Sequence, residues 1–176
     1  MIQIQLTSIK EFMNQLLCSD VFDDFSYVMG EITTFNTFTM DGFIHKEFLQ
    51  PADKDQHPPS NAEQHSSTIE SEYSLWADLR HYSYSLIKGQ KLPLRFKFVF
   101  KLPRKEIEPF IAKHHLETTP EDIQGLYFNI RYENQSLYAT TGSTLKTFSL
   151  SKAIENAWDA EFLALMEHLN MDYILS

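Results

Sequence analysis

Cysteine is almost absent from this chain: Cys18 is the only one among 176 residues. A single thiol excludes an internal disulfide framework and points to a reducing compartment. Cys18 has no nearby His or cation to lower its pKa, so it reads as a small buried residue and not as a nucleophile. Glycine is scarce as well, with five residues, and none of them forms a phosphate-cradling loop. No apolar run approaches the length of a membrane span, and the N-terminus lacks the basic-then-apolar plan of a signal peptide. The chain is therefore expected to be soluble and cytoplasmic, with no membrane partner. Positive charge is also short. Fifteen Lys and Arg face 24 Asp and Glu, a net charge of −9, which speaks against indiscriminate nucleic-acid binding.

What the chain has is aromatic and alternating. Fourteen Phe and eight Tyr favour a sheet-rich interior. Leu94 to Leu102 alternates almost strictly, with Leu94, Phe96, Phe98, Phe100 and Leu102 on one side and Arg95, Lys97 and Lys101 on the other. A period of two predicts a half-buried strand, and Pro103 ends it. Arg104 to His115 reads as a helix with Pro109 inside it, where a kink or a short first turn is expected. Thr119-Pro120 is a second helix-start signal. Leu126 to Glu133 alternates again. A turn over Glu133 to Ser136, a strand from Leu137 to Thr141, a turn at Gly142-Ser143 and a strand from Leu145 to Leu150 complete an antiparallel meander.

The first fifty residues echo this plan. Met1 to Leu6 alternates as a strand. Ser8 and Glu11 form a capping box for a helix carrying Ile9, Phe12, Met13, Leu16 and Leu17. Phe25 to Thr39 suits strands, Met40-Asp41-Gly42 signals a hairpin, and Phe43 to Leu49 would be the return strand. Gly42, Lys46 and Phe48 recur with the spacing of Gly142, Lys146 and Phe148. The chain thus reads as one domain over 1–176, with half-repeats at 1–49 and 94–150. Between them, 51–71 is a polar, proline-bearing stretch expected to be a flexible loop. It holds His57, His65, Asp53, Asp55 and Glu63, but without the fixed spacing of a metal site, so no metal is expected. Tyr73 to Lys88 reads as a helix opened by Ser74 and stopped at Gly89, although Tyr82 to Leu86 also alternates like a strand. In it Trp76 is a packed indole, and Asp78 and Arg80 are a solvated pair. Ser151 to Leu169 is a closing helix with an apolar stripe, and Met171 to Ser176 a short apolar tail. The fold class is α+β: antiparallel sheets with about four helices, in two similar strand–helix–meander halves.

Phe35-Asn-Thr-Phe38, Asp41-Gly42, Lys46-Glu47-Phe48, Tyr73-Ser-Leu-Trp76, Leu86-Ile-Lys-Gly89, Pro93-Leu94, Asn129-Ile-Arg-Tyr-Glu-Asn134 and Thr140-Thr-Gly142 together resemble a family of short bacterial proteins known only as a domain of unknown function. The resemblance covers most of the chain and implies no activity. A looser one joins Phe96 to Leu150, with its turn Leu137-Tyr-Ala-Thr-Thr-Gly142, to a half-domain of the DNA sliding clamp. It implies a duplicated fold whose helices face DNA. The chain departs from it in having one domain where a ring needs several, an inserted loop and an extra C-terminal helix. The first helix offers only Lys10 as a clear cation, while the second offers Arg104, Lys105, Lys113, His114 and His115.

Between Lys88 and Lys113 lie eight Lys or Arg against two Glu. A local basic band on an acidic protein can act through its local field, although such a band is more often simply solvated surface. Three functions follow. The first is a non-enzymatic binding module, clamp-like in fold, meeting nucleic-acid phosphates through Arg95, Lys97, Lys101, Arg104, Lys105 and Lys113. The second is an enzyme on a small phosphate- or carboxylate-bearing substrate, held by Arg131, Asn129, Arg95 and Lys97 with His81 or His114 as acid or base. The third is a structural partner or homo-oligomer pairing through an edge strand or the last helix. Adjacent residues on a helix point apart, so His114 and His115 read as surface residues in that setting too. Apart from these binding candidates and Arg131, no catalytic residue, cofactor or metal is expected.

Overall fold

The structure is a computed structural model that describes residues 1–49, 71–89, 91–147 and 151–175. In chain order its elements are β1 (Gln3–Leu6), α1 (Ile9–Cys18), β2 (Ser26–Thr33), β3 (Thr37–Asp41), α2 (Trp76–Ile87), β4 (Arg95–Lys101), α3 (Arg104–Lys113), β5 (Ile123–Glu133), β6 (Ser136–Leu145), α4 (Ala153–His168) and β7 (Tyr173–Leu175). Short 3-10 turns occupy Lys46–Leu49 and Pro120–Asp122. The strands form one antiparallel sheet in the order β3-β2-β4-β5-β6-β1-β7. The class is α+β, with four α-helices among the described residues. No described helix is long and apolar enough to cross a membrane.

Alternation builds the sheet with two unlike faces. Phe96, Phe98 and Phe100 of β4 and Leu126, Phe128 and Ile130 of β5 are buried on one face, with Leu137 and Ala139 of β6 and Ile4 and Leu6 of β1 beside them. The described helices lie over that face. Trp76 of α2 stacks on Tyr27 and meets Phe98 and Phe100. Phe12 of α1 reaches Phe128 through Phe22, and Phe162 of α4 touches Phe128 directly. α3 packs on α4 through Phe110 and Trp158. No described element lies over the centre of the opposite face.

Two local devices shape the β2 end. The β2–β4 register shifts between Tyr27 and Met29. A bulge there reverses the parity of the strand, so Tyr27 turns inward together with Gly30 and Ile32. Gly30 keeps that arrangement possible, since a Cβ would run into the Tyr27 hydroxyl and the Phe98 ring. The Tyr27 hydroxyl is pushed well above the ordinary tyrosine pKa by burial and, less, by the Asp41 charge.

Several sequence expectations change here. The hairpin between β2 and β3 turns at Thr34 to Asn36, where the Thr34 N–H donates to the Asn36 carbonyl at 2.9 Å, not at Asp41-Gly42. The segment expected to return as a strand ends in the 3-10 turn Lys46–Leu49. Gly142 and Ser143 do not turn: they pair with Tyr127 and Leu126, so β6 runs through them to Leu145, and of the strand expected from Leu145 to Leu150 only Leu145 belongs to it, Lys146 and Thr147 lying outside any strand and 148–150 outside the described residues. Ser8 makes no side-chain cap on α1, its hydroxyl lying 3.4 Å from the Asp172 carboxylate. Cys18 is exposed, because it ends α1 off the stripe of Phe12 and Leu16. Arg80 pairs with Asp23 at 2.9 Å and not with Asp78. The apolar tail forms β7 on the outer side of β1. The expected helices over 73–88 and 151–169 are present, each slightly shorter. At the second helix-start signal Thr119 and Asp122 form a capping box.

The half-repeats share an element order of strand, helix, strand, strand, but not its pairing. β4 lies beside β5 of its own half, whereas β1 lies between β6 and β7. The polar stretch 51–71 and Phe148 fall outside the described residues, Ser71 apart.

Candidate functional site

β4 and β5 occupy the middle of the sheet, and their outward residues are the polar half of each alternation. The register sets Arg95 opposite Glu133, Lys97 opposite Arg131, Val99 opposite Asn129 and Lys101 opposite Tyr127. The rows continue across the sheet. Lys97 is flanked by Glu31 on β2, and Arg131 by Tyr138 on β6. Asn129 is followed by Thr140 and then Gln3. Four of the seven cations singled out by sequence, Arg95, Lys97, Lys101 and Arg131, therefore meet on the uncovered face.

Their surroundings differ. Arg95 reaches Glu31 at 3.6 Å and Arg131 reaches Glu133 at 3.3 Å. The Arg131 guanidinium also lies 5.5 Å from the Tyr138 ring centroid, within cation–π range. Lys101 is enclosed at the end of the row, 3.5 Å from Glu72 and 5.5 and 5.7 Å from the Tyr73 and Tyr127 rings. Both tyrosine hydroxyls are raised in pKa, chiefly by burial and then by Glu72. Lys97 has no ion-pair or hydrogen-bond partner among the described residues. Like charges placed directly opposite each other across two strands destabilise the pairing, so this position favours an anion between Lys97 and Arg131.

The other three cations lie in the helical layer on α3. The Arg104 guanidinium donates to the Ile123 carbonyl at 2.8 Å. Lys113 pairs with Glu161 of α4 at 2.7 Å. Lys105 is exposed to solvent on the same helix. The basic band thus divides between two sides of the molecule.

Sequence reasoning names Lys113 and His114 but passes over Glu161, which joins them where α3 meets α4. His114 Nε2 lies 2.8 Å from Glu161 Oε2, so one carboxylate serves both Lys113 and His114. Burial alone would raise the Glu161 pKa, and the hydrogen bonds from Lys113 and His114 reverse this and hold it below the ordinary glutamate value. His114 also borders a cleft of about 570 Å³ with His115, Thr118 and Asp122. The pairing of α3 with α4 brings these groups together, and no local spacing signals it. His81 is exposed on α2, its ring 3.8 Å from that of Tyr82. Among the described residues no three His, Cys, Asp or Glu side chains converge as a metal site requires.

An antiparallel α+β protein with helices on one face and a charged, tyrosine-bearing sheet surface on the other is the class these features define. The chain belongs to the family of unknown function DUF5721, whose model matches residues 15–174. No curated protein and no solved structure matches it.

Proposed function

We propose that this protein is a non-enzymatic binding module that holds nucleic-acid phosphates on its uncovered sheet face. The observation that carries the reading is Lys97 placed directly opposite Arg131 on the two central strands. A phosphate between them replaces a repulsion with two charge-assisted contacts. Tyr138 lies directly opposite Arg131 on the same face and offers ring surface to bases. The sheet is favoured over the helices as the contact surface, because three exposed cations, Arg95, Lys97 and Arg131, share one face there and Lys97 has no partner among the described residues, whereas on α3 Arg104 and Lys113 are engaged within the protein. Arg131 stands on an open face and not in an enclosed pocket, which suits an extended ligand better than a small substrate.

The reading is tested by fluorescence anisotropy with a labelled single-stranded oligonucleotide and the matching duplex at low salt. Binding should weaken with salt with a log–log slope of about −2 on the single strand and about −2.7 on the duplex if Arg95, Lys97 and Arg131 each meet a phosphate. Lys97→Glu or Arg131→Glu should weaken it about tenfold or more, a change of ~1.4 kcal/mol. No binding of either oligonucleotide by the natural chain would overturn the proposal.

A further inference from the structure

The sheet ends at β3, and the outer side of this strand has no ladder partner among the described residues. The orientation of its backbone follows from two hydrogen bonds. Gly42 N–H donates to the Val28 carbonyl, and the Asn36 carbonyl accepts from Thr34 within the hairpin. Backbone groups of alternate residues in a strand point to the same side, so Phe38 and Met40 pair with β2, while Thr37, Thr39 and Asp41 direct their N–H and C=O groups outward. The five-residue edge carries no Lys, no Pro and no bulge, the usual devices that block strand addition.

A groove of about 690 Å³ runs beside this edge. Its floor and far wall are apolar: Phe38 and Met40 from β3, and Leu79, Tyr82 and Leu86 from α2. The helix runs antiparallel to the strand. Ser74, just before α2, donates to the Gly42 carbonyl, and Leu94, after it, donates to the Thr33 carbonyl at the other end of the hairpin. The Gly42 end of the groove is acidic. Exposed Asp41 lines that end and accepts from the Phe43 N–H, and no cation lines the groove among the described residues.

We propose that this edge and groove form a docking site for an extended peptide that adds to β3 as an eighth, antiparallel strand. The outward backbone groups of Thr37, Thr39 and Asp41 supply the ladder, and side chains two apart in the peptide enter the groove. An antiparallel peptide sets its N-terminal side against Asp41. The recognised chemistry is thus two or more apolar residues at alternate positions, preceded by a Lys or Arg. A second copy of this chain fits less well, since antiparallel pairing of two β3 strands sets a threonine, the Thr37 position, and not a cation beside Asp41. The site is separate from the phosphate face and does not depend on it.

A phage-displayed heptapeptide library panned against the full chain tests this. Enriched sequences should show the alternation and a Lys or Arg on its N-terminal side, and Asp41→Lys should select for acidic residues there instead. Thr39→Pro removes an outward N–H without touching the β2–β3 ladder. It should weaken a synthetic enriched peptide about tenfold or more, ~1.4 kcal/mol. Tyr82→Glu, on an exposed helical position, should do the same should the proline variant fail to fold. Absence of enrichment, or equal binding by both folded variants, overturns the proposal. A concentration-dependent dimer abolished by Thr39→Pro in sedimentation equilibrium also overturns it, and identifies a second copy as the occupant.

Discussion

The two faces of the sheet come from the same strands and obey opposite rules. On the covered face Phe96, Phe98 and Phe100 are buried among aromatic rings contributed by α2, β2 and β5. One residue away along each strand, Arg95, Lys97 and Arg131 keep much of their surface in water and are partnered by single carboxylates or by none. Apolar burial is non-directional and accumulates with area, so the covered face carries the folding free energy. The exposed face carries charges whose pairwise worth is small. Selection for stability alone has little use for Lys97 opposite Arg131, and this is the reason the uncovered face is read as functional.

The contrast is broken most directly by equal truncations on the two faces. Trp76 is fully buried and its Nε1–H donates to the Leu16 carbonyl at 2.7 Å, joining α2 to α1. Trp76→Ala should cost about 3–5 kcal/mol. Arg131→Ala should change stability by no more than about 0.5 kcal/mol. Urea unfolding midpoints of the two variants decide the matter, and similar losses would mean that the uncovered face is structural.

A smaller effect is expected where a charge belongs to the covered side. Arg80 donates to the Ser19 carbonyl and to the Asp23 carboxylate, both at 2.9 Å. Burial raises the Asp23 pKa, Arg80 opposes this, and Asp20, Asp24 and Asp78 reinforce it. Arg80→Ala should therefore destabilise by about 1–3 kcal/mol, with Asp23→Asn restoring part of the loss in the double variant. Full additivity of the two substitutions would show that the pair is not coupled.

Glu161 gives the contrast a pH axis. Its folded pKa is lowered, so its contribution is present above the ordinary glutamate range and is lost as pH falls through the folded value. The natural chain should lose stability below about pH 4.5, and Glu161→Gln should flatten that limb of the profile. A profile unchanged by the substitution would place acid sensitivity elsewhere.

How much of this was legible beforehand depends on the range over which each feature is encoded. The strands around Phe98 and Phe128 are written in local alternation, and α2 and α4 in apolar stripes, so they could be read directly. Turns were misplaced where composition competed with pairing. Asp41-Gly42 has hairpin chemistry, yet β2 and β3 reverse at Thr34 to Asn36. Gly142 looks like a break, yet its pairing with Tyr127 carries the strand through it. The pairing of β1 with β6 joins residues such as Gln3 and Thr140, and no local signal encodes so distant a partner. The candidate site divides the same way. Arg95, Lys97 and Lys101 share a strand face by their spacing, whereas Arg131 reaches Lys97 only through the register set by the β4–β5 connection. The α3 cations look continuous with them in sequence and leave for the other layer because the chain crosses over at Pro103.

The smallest expected effect is the sharpest test of the functional reading. Replacing Lys97 by Thr removes the like-charge opposition and puts a β-branched residue on a central strand, where it packs well. Glu31 then loses its cross-strand cation but keeps Arg95 at 3.6 Å. The net result should be a stabilisation of roughly 0.2–1 kcal/mol, visible as a small rise in the urea midpoint with an unchanged slope. If the opposition is there for a phosphate, the same variant should bind a labelled oligonucleotide more weakly. Stability and affinity then move in opposite directions on one substitution, which neither a purely structural surface nor an unfolded variant reproduces. A Lys97→Thr chain that is less stable than the natural one would show that Lys97 is already satisfied within the fold, and the argument for an anion at this position would fall with it.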